Sequence, residues 1–198
     1  MRIANILAGL AALFSISFVL SAPALADSAR DDAAYCVKKG GVVQTRIPEY
    51  GTNGGTPLVL SGSADFCQFT SESDGSQINV LLSTLRTMQP TLAALAYYAQ
   101  VPLGSCTGNP GSCYCSQVGG TDLFGGINAA GGGWVLNTDP SDVLEACIFP
   151  DMSSIDSWGL AYHSAGIIRG KNLAHALKYK SPYESARTDK GAKKTLPF

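Results

Sequence analysis

The stretch YCVKKGG at residues 35–41 returns as YCSQVGG at residues 114–120. The residues after each copy also agree. From Cys36 the chain reaches its next cysteine, Cys67, after 31 residues, and from Cys115 it reaches Cys147 after 32. In both intervals Gly-Gly comes four residues after the first cysteine, then a glycine-rich stretch and an apolar Val-Leu (Val59-Leu60, Val135-Leu136). Both close on Cys-x-Phe (Cys67 and Phe69, Cys147 and Phe149), followed by a serine-containing turn and the runs GSQINVLLSTLRT and SSIDSWGLAYHSA. Agreement in both order and spacing predicts an internal duplication.

The duplication selects a disulfide pairing. If both copies fold alike, Cys36 pairs with Cys67 and Cys115 with Cys147. Cys106 and Cys113 are left to close the short segment CTGNPGSC, where Asn-Pro-Gly turns the chain. Chain-entropy arguments give roughly 3.7 kcal/mol for each long loop and about 2.5 kcal/mol for the short one.

Such bridges require an oxidising compartment, and the N-terminus points to one. Arg2 precedes an uncharged apolar run over residues 6–20, and Ala24 and Ala26 stand in the small-residue pattern of a signal-peptidase site. Residues 1–26 are predicted to be a signal peptide cut after Ala26, giving a periplasmic or secreted protein. The apolar run is short of the roughly 20 residues that cross a bilayer. Later apolar stretches are interrupted by Pro90 and Pro102, so no transmembrane span is expected after cleavage.

The remaining chain divides into a first repeat unit (27–90), a linking helix and cysteine loop (91–112), a second repeat unit (113–168) and a basic C-terminal helix and tail (169–198). Residues 27–168 carry 5 basic and 13 acidic side chains, a net of −8, whereas residues 169–198 carry 8 and 2, a net of +6. A basic tail on an acidic body either folds back onto it, stays solvated, or makes peripheral contact with anionic surfaces. The expected fold class is α+β. Each unit has a short helix ending at Gly-Gly, antiparallel strands (VVQTRI, returning through FCQF or EACIF) and a following helix, stabilised by disulfides. Ile78, Leu81, Leu82, Leu85 and Met88 fit one helical face in the first unit. Ile155, Trp158 and Tyr162 mark it in the second, with Asp156 as its cap. Further helices are expected from Pro90 and over residues 171–179.

Tyr35, Cys36, Gly40 and Gly41, with Cys147, Phe149, Pro150, Ile155, Asp156 and Trp158, resemble a family of small exported bacterial domains of unknown function that carries the hemolysin label. That family shows Tyr-Cys-x-x-x-Gly-Gly, then Cys-x-x-Pro-x-Gly, then Ile-Asp-x-Trp-Ala. The first copy here lacks the tryptophan, and Met152 stands near the family's usual glycine. The resemblance implies a small envelope domain and assigns no chemistry.

The residues themselves point away from a reaction centre. Neighbours on a helix, His163 and Ser164 diverge and make no triad alone. All six cysteines are better used as bridges. The sequence has neither a Cys-x-x-Cys nor a His-x-x-x-His pair for zinc, and the glycine run at residues 119–133 lacks the Gly-Lys-Ser/Thr of a phosphate loop. No cofactor, metal or nucleic-acid partner is expected. Apolar residues on glycine-rich connections remain: Tyr50 in the first unit, with Leu123, Phe124 and Ile127 in the second. With Trp158 and His163 they are the candidate binding residues, for a protein or envelope-polymer partner. The leading expectation is a non-catalytic binding or inhibitory module. The alternatives are a hydrolase using His163 or His175, and a wall- or membrane-associated protein held by its basic tail.

Overall fold

The computed structural model describes residues 23–122 and 131–182 of the 198-residue chain. Helix α1 (Pro23–Lys38) leads into strands β1 (Val42–Tyr50), β2 (Leu58–Val59), β3 (Ala64–Thr70) and β4 (Gln77–Leu81). Helices α2 (Leu82–Arg86), α3 (Leu92–Ala99) and α4 (Pro110–Gln117) come next. The chain then forms β5 (Gly132–Leu136), β6 (Asp139–Leu144), β7 (Ala146–Ile148) and β8 (Ser154–Asp156), and ends in α5 (Ser157–Ser164) and α6 (Leu173–Ala176). Every strand pairing is antiparallel. One sheet, in the order β6-β5-β1-β3-β4-β8-β7, runs through both halves of the chain, with β2 paired to β1. The fold is mixed α+β with three disulfides.

The repeated heptad builds the same device twice. At the end of α1 the Gly40 N–H donates to the Val37 carbonyl (2.9 Å) and the Gly41 N–H to the Cys36 carbonyl (3.0 Å). At the end of α4 the Gly119 N–H donates to Ser116 (3.2 Å) and the Gly120 N–H to Cys115 (2.9 Å). These nested bonds satisfy the orphan carbonyls of the last turn and need a left-handed residue just past the helix. Gly40 (φ 84°) and Gly119 (φ 90°) supply it. Each cysteine thus has its carbonyl fixed by the cap while its sulfur reaches the sheet, in Cys36–Cys67 and Cys115–Cys147. The second glycine lies under the bridge. A Cβ on Gly41 would stand 2.3 Å from Cys67 Sγ, and one on Gly120 would stand 2.3 Å from Cys147 Sγ. The third bridge is Cys106–Cys113, and no described cysteine is free.

Registers after the heptads also correspond. Val42 pairs with Gln68 and Cys67 with Val80; Thr121 pairs with Ile148 and Cys147 with Ile155. The two sets meet where Val80 pairs with Ile155. Strand alternation sends Cys67, Phe69, Ile78, Val80, Cys147 and Ile155 to the helical side. There they pack with Leu85, Tyr97, Tyr114, Leu160, Leu173 and Leu177. The other face carries a smaller cluster of Phe66, Leu144 and Ala146, with Trp134 against it. Arg46, 1% exposed, crosses β5 on that side and makes a bidentate ion pair with Asp142 (3.0 and 3.1 Å), while also donating to the Trp134 carbonyl.

Three local expectations are corrected. The run at residues 77–81 is strand, with only Leu82–Arg86 helical, because Ile78 and Val80 alternate inward opposite Phe69 and Cys67; Met88 is 69% exposed. Pro90 lies before the helix expected to start at it, and Thr91 is the N-cap, its side chain accepting from the Ala94 N–H. Helix α6 is a single turn within residues 171–179, yet Leu173, Ala176 and Leu177 are fully buried. Residues 173–177 therefore contribute to the core, and residues 183–198 lie outside the described residues. No helix among the described residues is long and apolar enough to cross a membrane.

The Gly-under-sulfur contact yields a direct test. Gly41→Ala and Gly120→Ala should each destabilise the oxidised protein by about 1–3 kcal/mol through overpacking. Gly55→Ala, whose Cβ meets nothing within 4 Å, should shift stability by less than about 0.5 kcal/mol. Denaturant midpoints of the three variants, compared without reductant, check this; equal midpoints would refute the contact.

Candidate functional site

On the face away from the helical core, where β4 meets β8, the sheet and α5 line an open cleft of about 400 Å³. Alternation that buries Ile78 and Val80 turns Gln77 and Asn79 toward this side. From the end of β8, Asp156 caps α5, its Oδ1 accepting from the Gly159 N–H at 2.9 Å. Trp158 and Tyr162 stand at i and i+4 on one face of α5, with ring centroids 6.1 Å apart. Arg169 returns after the helix and sets its guanidinium 5.0 Å from the Tyr162 ring centroid. Asp142, Leu144 and Glu145 close the opposite wall.

The cleft holds polar groups that protein partners leave bare. Asn79 is 4% exposed, yet its Oδ1 accepts no hydrogen bond, and Arg169 Nε is buried without an acceptor. Burial raises the Asp156 pKa above the ordinary aspartate value, opposed by the Gly159 N–H and by the charge of Arg169. Asp142 is matched by Arg46, and the same lining carries one acidic side chain, Glu145, and one basic side chain, Arg169.

A second depression of about 720 Å³ adjoins the first, sharing Val143 and Glu145. Its floor includes the start of α4, where Asn109 Oδ1 accepts from the N–H groups of Gly111 and Ser112, while Asn109 Nδ2 donates to Glu145. Asp122 also lines it, 7% exposed, with neither carboxylate oxygen hydrogen-bonded. Among the described residues no group of three or more His, Cys, Asp or Glu side chains is placed to hold a metal ion.

Of the candidate binding residues that the structure describes, Tyr50, Trp158 and His163, Trp158 alone lies in the cleft. Tyr50, half-buried at the end of β1, lines a separate shallow hollow with Gly51 and Leu58. Leu123, Phe124 and Ile127 lie outside the described residues. His163 belongs to the core: it is 7% exposed, its ring stacks on Tyr97 (centroids 3.7 Å, 6° between planes), and Gln100 Nε2 lies 2.8 Å from its Nε2. His175 is exposed on α6, and neither histidine lines the described depressions. Asn79, Asp142, Glu145 and Arg169 are absent from the site residues expected from sequence. A period-two reading of QINVL exposes Asn79 as a polar residue facing away from two apolar neighbours; Arg169 is hidden at the start of an apparent tail.

Searches against protein-family models, curated proteins and solved structures found no match to this chain.

His163 makes a pH prediction. Burial lowers its pKa from 6.5 to about 4, so the folded state holds the ring neutral where the unfolded chain protonates it. The associated stability is present above about pH 6.5 and is lost as pH falls toward 4, by about 3 kcal/mol over that window. His163→Phe keeps a ring against Tyr97 without the proton. The stability difference between wild type and this variant should change across the window by that amount; a difference independent of pH would contradict the neutral, buried histidine.

Proposed function

We propose that this chain is an exported bacterial envelope protein acting as a non-catalytic recognition module, and that it binds through the cleft between β4, β8 and α5. The observation carrying this reading is the pairing of a bare buried acceptor, Asn79 Oδ1, and a bare buried donor, Arg169 Nε, beside two half-buried aromatic rings. Leaving a buried polar atom unsatisfied costs about 1–3 kcal/mol, and a bound ligand removes that cost. Pockets with aromatic walls and a few converging polar groups are the usual form of a binding site. A histidine-based hydrolase has less support, because His163 is used in packing and His175 stands apart from the cleft. A tether through the basic tail has less support within residues 169–182, where Arg169 and Leu173 are engaged in the fold.

Export is supported by three disulfides together with the charged, apolar and small-residue segments at residues 1–26. Membership in the hemolysin-labelled domain family is part of the same proposal and rests on the motif residues alone. So is the internal duplication, with Val80 and Ile155 as equivalent positions. It is supported by the matched helix caps, the glycines under each bridge and the corresponding registers.

Hydrogen exchange tests the reading. Incubated with a bacterial envelope fraction, the disulfide-intact protein should gain protection at residues 77–81 and 154–169, and no soluble fragment of the fraction should be released. Absence of protection there would overturn recognition through this cleft, and steady release of product would replace it with an enzymatic role.

A further inference from the structure

We infer that the cleft takes a neutral, hydroxyl-rich sugar ring, as part of an oligosaccharide. This ligand assignment rests on the recognition reading and specifies it.

The bare groups set the chemistry required. Asn79 Oδ1 needs a donor and Arg169 Nε needs an acceptor, in one cleft. An anion supplies acceptors alone and an ammonium group supplies donors alone, so each leaves one of the two unsatisfied. A hydroxyl is both donor and acceptor, so a hydroxyl-rich ligand carries both kinds of group that the two residues call for. The charge balance leads to the same class. Asp142 is held by Arg46 at 3.0 Å, and acidic Glu145 stands in the same lining as basic Arg169, so the wall mixes both signs and selects neither.

The aromatic side supplies the other half of the fit. Trp158 and Tyr162 are half-buried, so their exposed portions offer apolar surface beside the polar groups. Rings of this kind present an apolar body with a polar handle. A sugar ring has the complementary form, an edge of hydroxyls around faces of C–H groups. The volume, about 400 Å³, falls in the range of about 300–1,000 Å³ that small-molecule sites occupy. The neighbouring depression, joined through Val143 and Glu145, gives space for the chain to continue past more hydroxyls and amides, including Ser112, Ser116 and Asn53.

The experiment uses the disulfide-intact protein and three sets of tetrasaccharides: neutral (glucose or N-acetylglucosamine units), cationic (glucosamine) and anionic (galacturonate), with a pool of short peptides as a fourth arm. Calorimetry gives affinity. The chain has two tryptophans, Trp134 and Trp158, so Trp134→Phe leaves Trp158 emission as a reporter from within the cleft. At least one neutral tetrasaccharide should bind and shift that emission, with both charged sets at least tenfold weaker. Asn79→Leu and Trp158→Ala should each weaken binding at least tenfold while retaining the wild-type circular dichroism. The emission arm stands even if either variant fails to fold. Preference for a charged set or for peptides overturns the inference, as do failure of every neutral sugar to bind, unchanged Trp158 emission, or equal affinity in folded cleft variants. If the envelope fraction protects residues 77–81 and 154–169 but neutral sugars neither bind nor compete, the ligand class is wrong and the recognition reading stands. If the fraction gives no protection, the recognition reading itself fails.

Discussion

A helix end bonded through sulfur to a strand of the sheet occurs twice in this molecule, and the rest of the fold is arranged around the two bonds. In each, one cysteine sits in the last turn of a helix and its partner in a strand, β3 for Cys67 and β7 for Cys147. Three demands meet at each site. The helix must end where its cysteine carbonyl can accept from the second glycine, the first glycine must be left-handed, and the second must have no side chain. All four cysteines are fully buried in the main core. Removing loop entropy from the unfolded chain gives each of these bridges roughly 3.7 kcal/mol, a large part of the roughly 5–15 kcal/mol that holds an ordinary domain.

Between the clamped strands, the named ladder connecting β4 to β8 is a single residue pair, Val80 with Ile155. Other contacts distribute the connection. Strand β5, late in the chain, pairs with five residues of β1. Arg46 then reaches past it to Asp142 on β6. Arg46 is buried while Asp142 is 36% exposed, so desolvation of the guanidinium offsets much of the attraction, and losing Asp142 would leave a buried charge without its partner. The consequence of the pair here is positional: it fixes Asp142 in the cleft wall and draws its charge away from any ligand. On the helical side, Leu173 and Leu177 close the core, so the segment from Arg169 onward serves packing and the cleft together.

The covalent frame was legible because it is encoded in spacing. Cys36, Cys67, Cys115 and Cys147 stand at nearly equal intervals within each pair, and the glycines mark the same cap twice. Asp156 was also legible as a helix cap, since its side-chain chemistry is local. The strand at residues 77–81 was not, because Ile78, Leu82 and Leu85 satisfy a helical period while Ile78 and Val80 satisfy a strand period. Only the long-range pairing with β3 decides between them. The cleft was less legible still. Asn79, Arg169, Asp142 and Glu145 are separated by up to 90 positions in sequence, share no motif, and acquire meaning from one sheet face that brings them together. The packing role of His163 is equally hidden in the sequence, because the stacking of its ring on Tyr97 joins residues 66 positions apart.

The position of the cleft follows from what stands on either side of the Val80–Ile155 pair. Counting outward from Val80 and Ile155, Leu81 corresponds in position to Asp156, and Ser83 to Trp158. One side places an apolar side chain and a small hydroxyl after its strand; the other places a carboxyl and an indole. The carboxyl ends the strand and starts α5, and that start sets Trp158 and Tyr162 along one helix face toward Asn79 and Arg169. A junction with the same residues on both sides would repeat its chemistry about the Val80–Ile155 pair. The differences at 156 and 158 break that equivalence, so one side supplies the amide of Asn79 and the other supplies the rings, the carboxyl and the guanidinium. The disulfide clamps make this division tolerable: the two bridges and the main core hold the sheet from its helical side, and the smaller cluster of Phe66, Leu144 and Ala146 packs the other face beside the cleft. Buried polar atoms can therefore stay unpartnered there without unfolding the sheet.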